Sequence, residues 1–141
     1  MTYELTITQK PGYLHAVVSG ENTRESVVRY LEEVIRECTL RQCFRVLIEE
    51  RLEGPRFSTL EIFEVVSTGA TRFLGAVTAM AYVDVNAQSE EMLRFAENVA
   101  VNRAFPVKIF STVAAAERWL RADASRSVTR GERADAHKPR R

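Results

Sequence analysis

Cysteine is scarce in this sequence, with Cys38 and Cys43 as the full complement. Two cysteines cannot build the disulfide framework of a small secreted scaffold, and no further ligands stand near them for a structural zinc site. Histidine is equally scarce. His137 lies near the end of the chain, so a Ser-His-Asp triad would have to use His15. No acid or cysteine is patterned beside His15, which is read as a surface or edge residue of a strand. The glycine-rich phosphate and dinucleotide signatures G-x-x-x-x-G-K-[ST] and G-x-G-x-x-G are missing, as is the G-x-S-x-G nucleophile elbow. No apolar run reaches the ~18 residues of a membrane span. No basic-then-apolar leader opens the sequence, so a cytoplasmic protein with reduced thiols is expected. No metal, no cofactor and no assembled catalytic constellation are expected.

Neither sign of charge dominates: 20 Lys and Arg stand against 19 Asp and Glu, a net of +1. The distribution is uneven. Residues 122–141 hold six bases and three acids, a net of +3, which leaves −2 for residues 1–121. The tail is read as a disordered, solvated basic extension. It has no aromatic residue on which a base could stack, so no specific nucleic-acid partner is expected.

What remains is one domain's worth of chain with 45% apolar residues, enough for a core without staples. "TYELTIT" alternates Tyr3, Leu5 and Ile7 with polar residues, and "YLHAVVS" follows after Pro11-Gly12, a type II turn pair. Together they predict an opening hairpin. "ENTRESVVRYLEEVIREC" predicts a helix capped by Asn22 with Glu25 three residues on, an apolar stripe through Val27, Leu31, Val34 and Cys38, and a Glu32–Arg36 surface pair. "FRVLIEE" has three consecutive aliphatics, the mark of a strand buried on both faces. A second helix is expected from about Ser58 to Phe73, with a stripe of Phe63, Val66, Ala70 and Phe73. A strand follows over 76–84, a third helix over 89–103 behind Ser89, a strand over 107–110, and a last helix with Val113, Ala116 and Leu120 facing inward beside Trp119. The expected fold class is α/β: a mixed, mostly parallel five-stranded sheet after an N-terminal β-hairpin, with four helices in the order ββαβαβαβα. Residues 1–121 form the single expected domain.

Candidate chemistry gathers at two places. Glu49 and Glu50 end one strand and Asp84 the next, and ligands of open parallel sheets favour the carboxyl edge, where Arg56 also falls. These acids are read as solvated loop residues or partners of Arg51 and Arg56, with a small-molecule or lipid-like ligand carrier, or an enzyme, using a cryptic site there as the alternative. The second place is "GPRFSTLEIFE". Ser58 and Glu61 have capping-box spacing, which accounts for the serine, while the helix start would also welcome an added phosphate. Leu52, Phe57 and Leu60 flank this turn as an apolar cluster that either suits a protein partner or a small apolar, lipid-like ligand or packs under the loop.

The strand order, the junction "RVLIEERLEGPRFSTLEIF" and the ending "FAENVAVNRAFPVKIFSTVAAAERWL" resemble the STAS domain of anti-sigma-factor antagonists. They resemble more closely the SpoIIAA-like (STAS/Sec14-related) bacterial proteins of unassigned function. The resemblance covers about residues 2–121. It implies a non-catalytic regulatory or binding module, able to self-associate as a homodimer, with partner-binding residues Leu52, Phe57, Ser58, Thr59 and Leu60. In the classical antagonists the serine at this place, here Ser58, is a phosphoacceptor within an Asp-Ser-Ser-Gly-like motif. This chain departs from that motif, with Phe57 in place of the acid and Leu60 in place of the glycine.

Overall fold

The structure, a computed structural model, describes residues 3–86 and 89–122. The tail expectation for 122–141 therefore lies, from residue 123 on, outside the described residues. Two strands open the fold, β1 (Tyr3–Lys10) and β2 (Tyr13–Glu21), paired antiparallel from Tyr3↔Gly20 to Lys10↔Tyr13. The two-residue turn works because Gly12 takes a φ of 85°, which a side chain would resist. Then come α1 (Arg24–Arg41), β3 (Arg45–Glu53), α2 (Thr59–Arg72), β4 (Ala79–Asp84), α3 (Glu90–Val101) and β5 (Val107–Phe110). A fourth helix, α4, covers residues 113–122.

The sheet order is β1-β2-β3-β4-β5, with every pairing after the hairpin parallel. Each crossover advances one strand in the same direction. Crossovers of one hand then place all three helices on one face, and α1 packs on α2 and α2 on α3. The opposite face receives α4. Two cores result, divided by the two-residue period of the strands. On β3, Val46, Ile48 and Leu52 join the core under α1–α3, while Leu47 joins Ala116 and Leu120 under α4. The three aliphatics of "VLI" are all fully buried and β3 is the central strand, as their run implies.

Local chemistry moves three expected features. The cap of α1 is Thr23, whose hydroxyl accepts from the Ser26 N–H at 3.0 Å, and not Asn22. Asn22 instead gives its side-chain amide to Pro55 O at 2.8 Å, and its N–H to Glu53 O at 2.8 Å, tying down the loop after β3. Glu32 pairs across to Arg72 of α2 at 2.6 Å, and Arg24 reaches Glu64 at 3.2 Å, so α1's charges clamp its neighbour helix. The stripe of α2 is also rotated from its expected place. Phe63 is 41% exposed with the Arg103 guanidinium over its ring, and the inward residues are Ile62, Val65, Val66, Gly69 and Ala70.

Candidate functional site

Between the sheet and helices α1–α3 lies a cavity of about 230 Å³. Its walls are apolar: Val65, Val66 and Phe73 from α2 and its end, Met92, Leu93 and Ala96 from α3, and Met80 and Ile109 from the sheet. One end is different. There Glu50 of β3, Tyr82 and Asp84 of β4, Tyr30 of α1 and Arg56 of the β3–α2 loop share the lining. This end is the carboxyl edge of the parallel strands, where ligands of such sheets bind.

The strand period explains the grouping. Glu50 faces the same way as Ile48 and Leu52, and Asp84 the same way as Met80 and Tyr82. In register, Glu50 sits opposite Asp84 across the β3–β4 pair. Tyr30 falls between Val27 and Val34 on the buried stripe of α1 and is fully buried. A buried tyrosine needs a partner for its hydroxyl, and Tyr30 donates to Oε2 of Glu50. The Tyr82 hydroxyl is a further hydrogen-bond partner of Glu50. Arg56 reaches Asp84 at 3.5 Å with both side chains largely shielded from solvent. The loop that carries Arg56 turns at Gly54, with a φ of 117°, and the Gly54 carbonyl accepts from Arg56 Nε at 3.3 Å.

Burial governs the charges. Glu50 is 3% exposed, and desolvation pushes its carboxyl up to about 7, although the hydrogen bonds from Tyr30 and Tyr82 pull the other way. Asp84 is raised by burial too, held back by the Asn86 N–H and Arg56. Burial and the neighbouring Glu50 keep the Tyr30 and Tyr82 hydroxyls protonated well above the ordinary tyrosine range. The result is a water-poor polar pocket end that can accept hydrogen bonds and exchange one proton near neutrality.

Glu49 is not part of it. One residue out of phase with Glu50, it points to the α4 face and meets His15 Nε2 at 2.9 Å and Arg51 at 2.6 Å. Burial would raise its carboxyl, but the hydrogen bonds of Arg51 and His15 outweigh this and hold it below its usual range. The reading of Glu49, Glu50 and Asp84 as solvated loop acids is corrected: all three lie in strands, and Glu49 and Glu50 are buried. Pairing with Arg51 and Arg56 holds for Glu49 and Asp84. His15 was expected to have no acid near it; the parallel register of β2 and β3 supplies Glu49.

The Leu52–Leu60 group separates. Leu52 is fully buried in the core, so it offers no exposed contact, and its carbonyl accepts from Arg56 Nη2 at 3.0 Å and the Asn86 side chain at 2.9 Å. Phe57 is half-buried and lines the cavity. Ser58, Thr59 and Leu60 are exposed, Leu60 at 66%. Ser58 closes a full capping box: its Oγ accepts from Glu61 N–H at 3.2 Å and its own N–H donates to Glu61 Oε1 at 2.8 Å. Tyr30 and Tyr82 were not singled out from the sequence. The available signal was a tyrosine on each of two otherwise apolar buried faces.

No protein-family model and no curated protein matches the chain. The structure defines a mixed α/β domain with a partly open apolar cavity that has a polar end. Among the described residues, no helix is long and apolar enough to cross a membrane, and no group of three or more His, Cys, Asp or Glu side chains is placed to hold a metal ion.

Proposed function

We propose that this chain is a non-catalytic, STAS-like binding module whose ligand is a small, mainly apolar molecule held between the sheet and α1–α3. The cavity carries the reading: a concave, mainly apolar space ending in a few convergent polar groups is the usual form of a ligand site. Phe57 lines that space while the adjoining Ser58, Thr59 and Leu60 are exposed. Occupancy of the cavity would thus be felt at the surface segment that the family resemblance gives to a protein partner or a second copy. Native mass spectrometry of the purified protein tests the reading, because it reports copy number and any co-purified small molecule together. Saturable binding of small apolar probes, lost on filling the cavity, is the expected companion result. Probes that bind no better than to a cavity-filled variant would overturn it.

One observation favours a second reading, an enzyme acting on that ligand. Glu50 is poised near neutrality beside the hydroxyls of Tyr30 and Tyr82, which is the condition for a general base or acid at physiological pH. Chemical conversion of a bound ligand that Glu50→Gln abolishes, while leaving its binding intact, would establish this alternative over the first.

A further inference from the structure

We infer that the cavity is built for an apolar amine, its ammonium group held between Glu50 and Asp84 and its hydrocarbon part among the α2 and α3 side chains. This rests on the binding reading above and gives that ligand its chemical class.

Among the described residues, the polar end is rich in acceptors and its one cation is already paired. Arg56, the cation in the lining, is already engaged at every nitrogen. Its Nη2 donates to Leu52 O at 3.0 Å and Gly54 O at 3.2 Å, its Nε to Gly54 O at 3.3 Å, and its Nη1 faces Asp84 at 3.5 Å and Asn86 O at 3.5 Å. The Tyr30 proton is committed to Glu50. One N–H of the Asn22 side-chain amide donates to Pro55 O, and its side-chain oxygen is one more acceptor in the lining. Among the described lining residues, a carboxylate or phosphate head would find two carboxyl groups and, in Arg56, a cation already paired. A ligand head that donates hydrogen bonds fits, and a cationic one also answers the charge: two carboxyl groups face one guanidinium, a formal −1 once both are ionised. Buried charge of that kind is costly unless paired. The proton that Glu50 retains to about pH 7 fits the same description, since it stands where a ligand cation would stand.

The dimensions set the size of the ligand. A cavity of about 230 Å³ is larger than the ~150 Å³ apolar cavity that takes benzene, which suits a chain of about nine non-hydrogen atoms.

Matched head groups on one tail test the inference with the unmodified protein. Calorimetric titrations at pH 7.5 would compare octylamine, 1-octanol and octanoate, with ethylamine as the control for surface charge. Octylamine is expected to bind at least tenfold more tightly than 1-octanol, octanoate more weakly than either, and ethylamine not at all. In Glu50→Gln the octylamine preference should collapse while 1-octanol binding persists. Binding of 1-octanol or octanoate as tight as that of octylamine would overturn the amine assignment and leave the apolar site standing. Ethylamine binding equal to octylamine would overturn it by placing the attraction on the surface. If none of the three octyl compounds binds, the binding reading itself fails.

Discussion

The hydroxyl of Tyr30 donates to the carboxylate of Glu50, joining the middle of α1 to the carboxyl end of β3 within the apolar core. Neither residue is matched to its surroundings alone. Together they place a hydrogen-bonded acid at the end of a cavity, at the position where a parallel sheet exposes its strand ends.

Tyr30→Phe should therefore cost more than the loss of one ordinary hydrogen bond. It leaves a buried carboxylate short of a donor, a loss of about 1–3 kcal/mol and more when the acceptor is charged. Urea unfolding at pH 8 and pH 5.5 would show the larger loss at pH 8, where Glu50 is ionised. Equal losses at the two values would mean that the bond does not depend on the charge of Glu50.

The stability of the domain should rise as pH falls from 8 towards 5. Glu50 has its carboxyl raised from 4.5 to about 7 by folding, so the native state holds the proton more tightly than the unfolded chain. Its contribution is complete below the unfolded value and is lost as pH climbs through 7. The size is at most roughly 3–4 kcal/mol, from ~1.4 kcal/mol for each unit. Asp84, also raised by burial, acts in the same sense at lower pH. Glu49 opposes, but its carboxyl is lowered, so its stabilisation is lost only as pH drops below its ordinary 4.5. Glu50→Gln should flatten the rise between pH 5 and 8, as thermal unfolding across that range would record.

Two leucines eight residues apart should respond in opposite ways. Leu52→Ala empties a fully buried site and should cost about 2–5 kcal/mol. Leu60→Ala, at a residue 66% exposed, should fall within about 0.5 kcal/mol. Denaturant midpoints would separate them. If a partner uses the junction, Leu60→Ala should weaken that contact without touching the fold.

Ser58→Ala should destabilise by about 1 kcal/mol through loss of the cap, with Glu61→Ala costing less than that again in the serine-free background. A double-mutant cycle on unfolding free energies measures the coupling. Additive losses would show that the two halves of the box work independently.

Legibility followed the range of the interactions. The hairpin, the central strand "VLI", the strand 107–110 and the Ser58–Glu61 box rest on residues close in sequence, and all were readable from it. The two-residue period also carried the fact that Glu49 and Glu50 must face opposite sides. Which face held a cavity, and which acid met it, depended on contacts such as Tyr30 with Glu50 and Arg56 with Asp84, 20 or more residues apart. Those are set by strand register and helix placement. Phe63 shows the same limit on α2: the helical spacing placed it on the inward stripe, yet the helix turns it outward to Arg103 and gives the cavity wall to Ile62, Val65, Val66, Gly69 and Ala70.

Gly69 is the most direct handle on that cavity. It lies inside α2, lines the space, and a Cβ built on it would meet nothing within 4 Å. Gly69→Ala should stabilise the domain by up to about 1 kcal/mol, since alanine is the better helix residue and no neighbour resists it. Gly69→Met should occupy the space itself with a flexible chain. Stability should then hold at or above that of the unmodified protein while octylamine and 1-octanol binding fall at least tenfold. A stable Gly69→Met protein that still bound both compounds fully would show that they bind elsewhere, and the cavity would lose its claim to be the site.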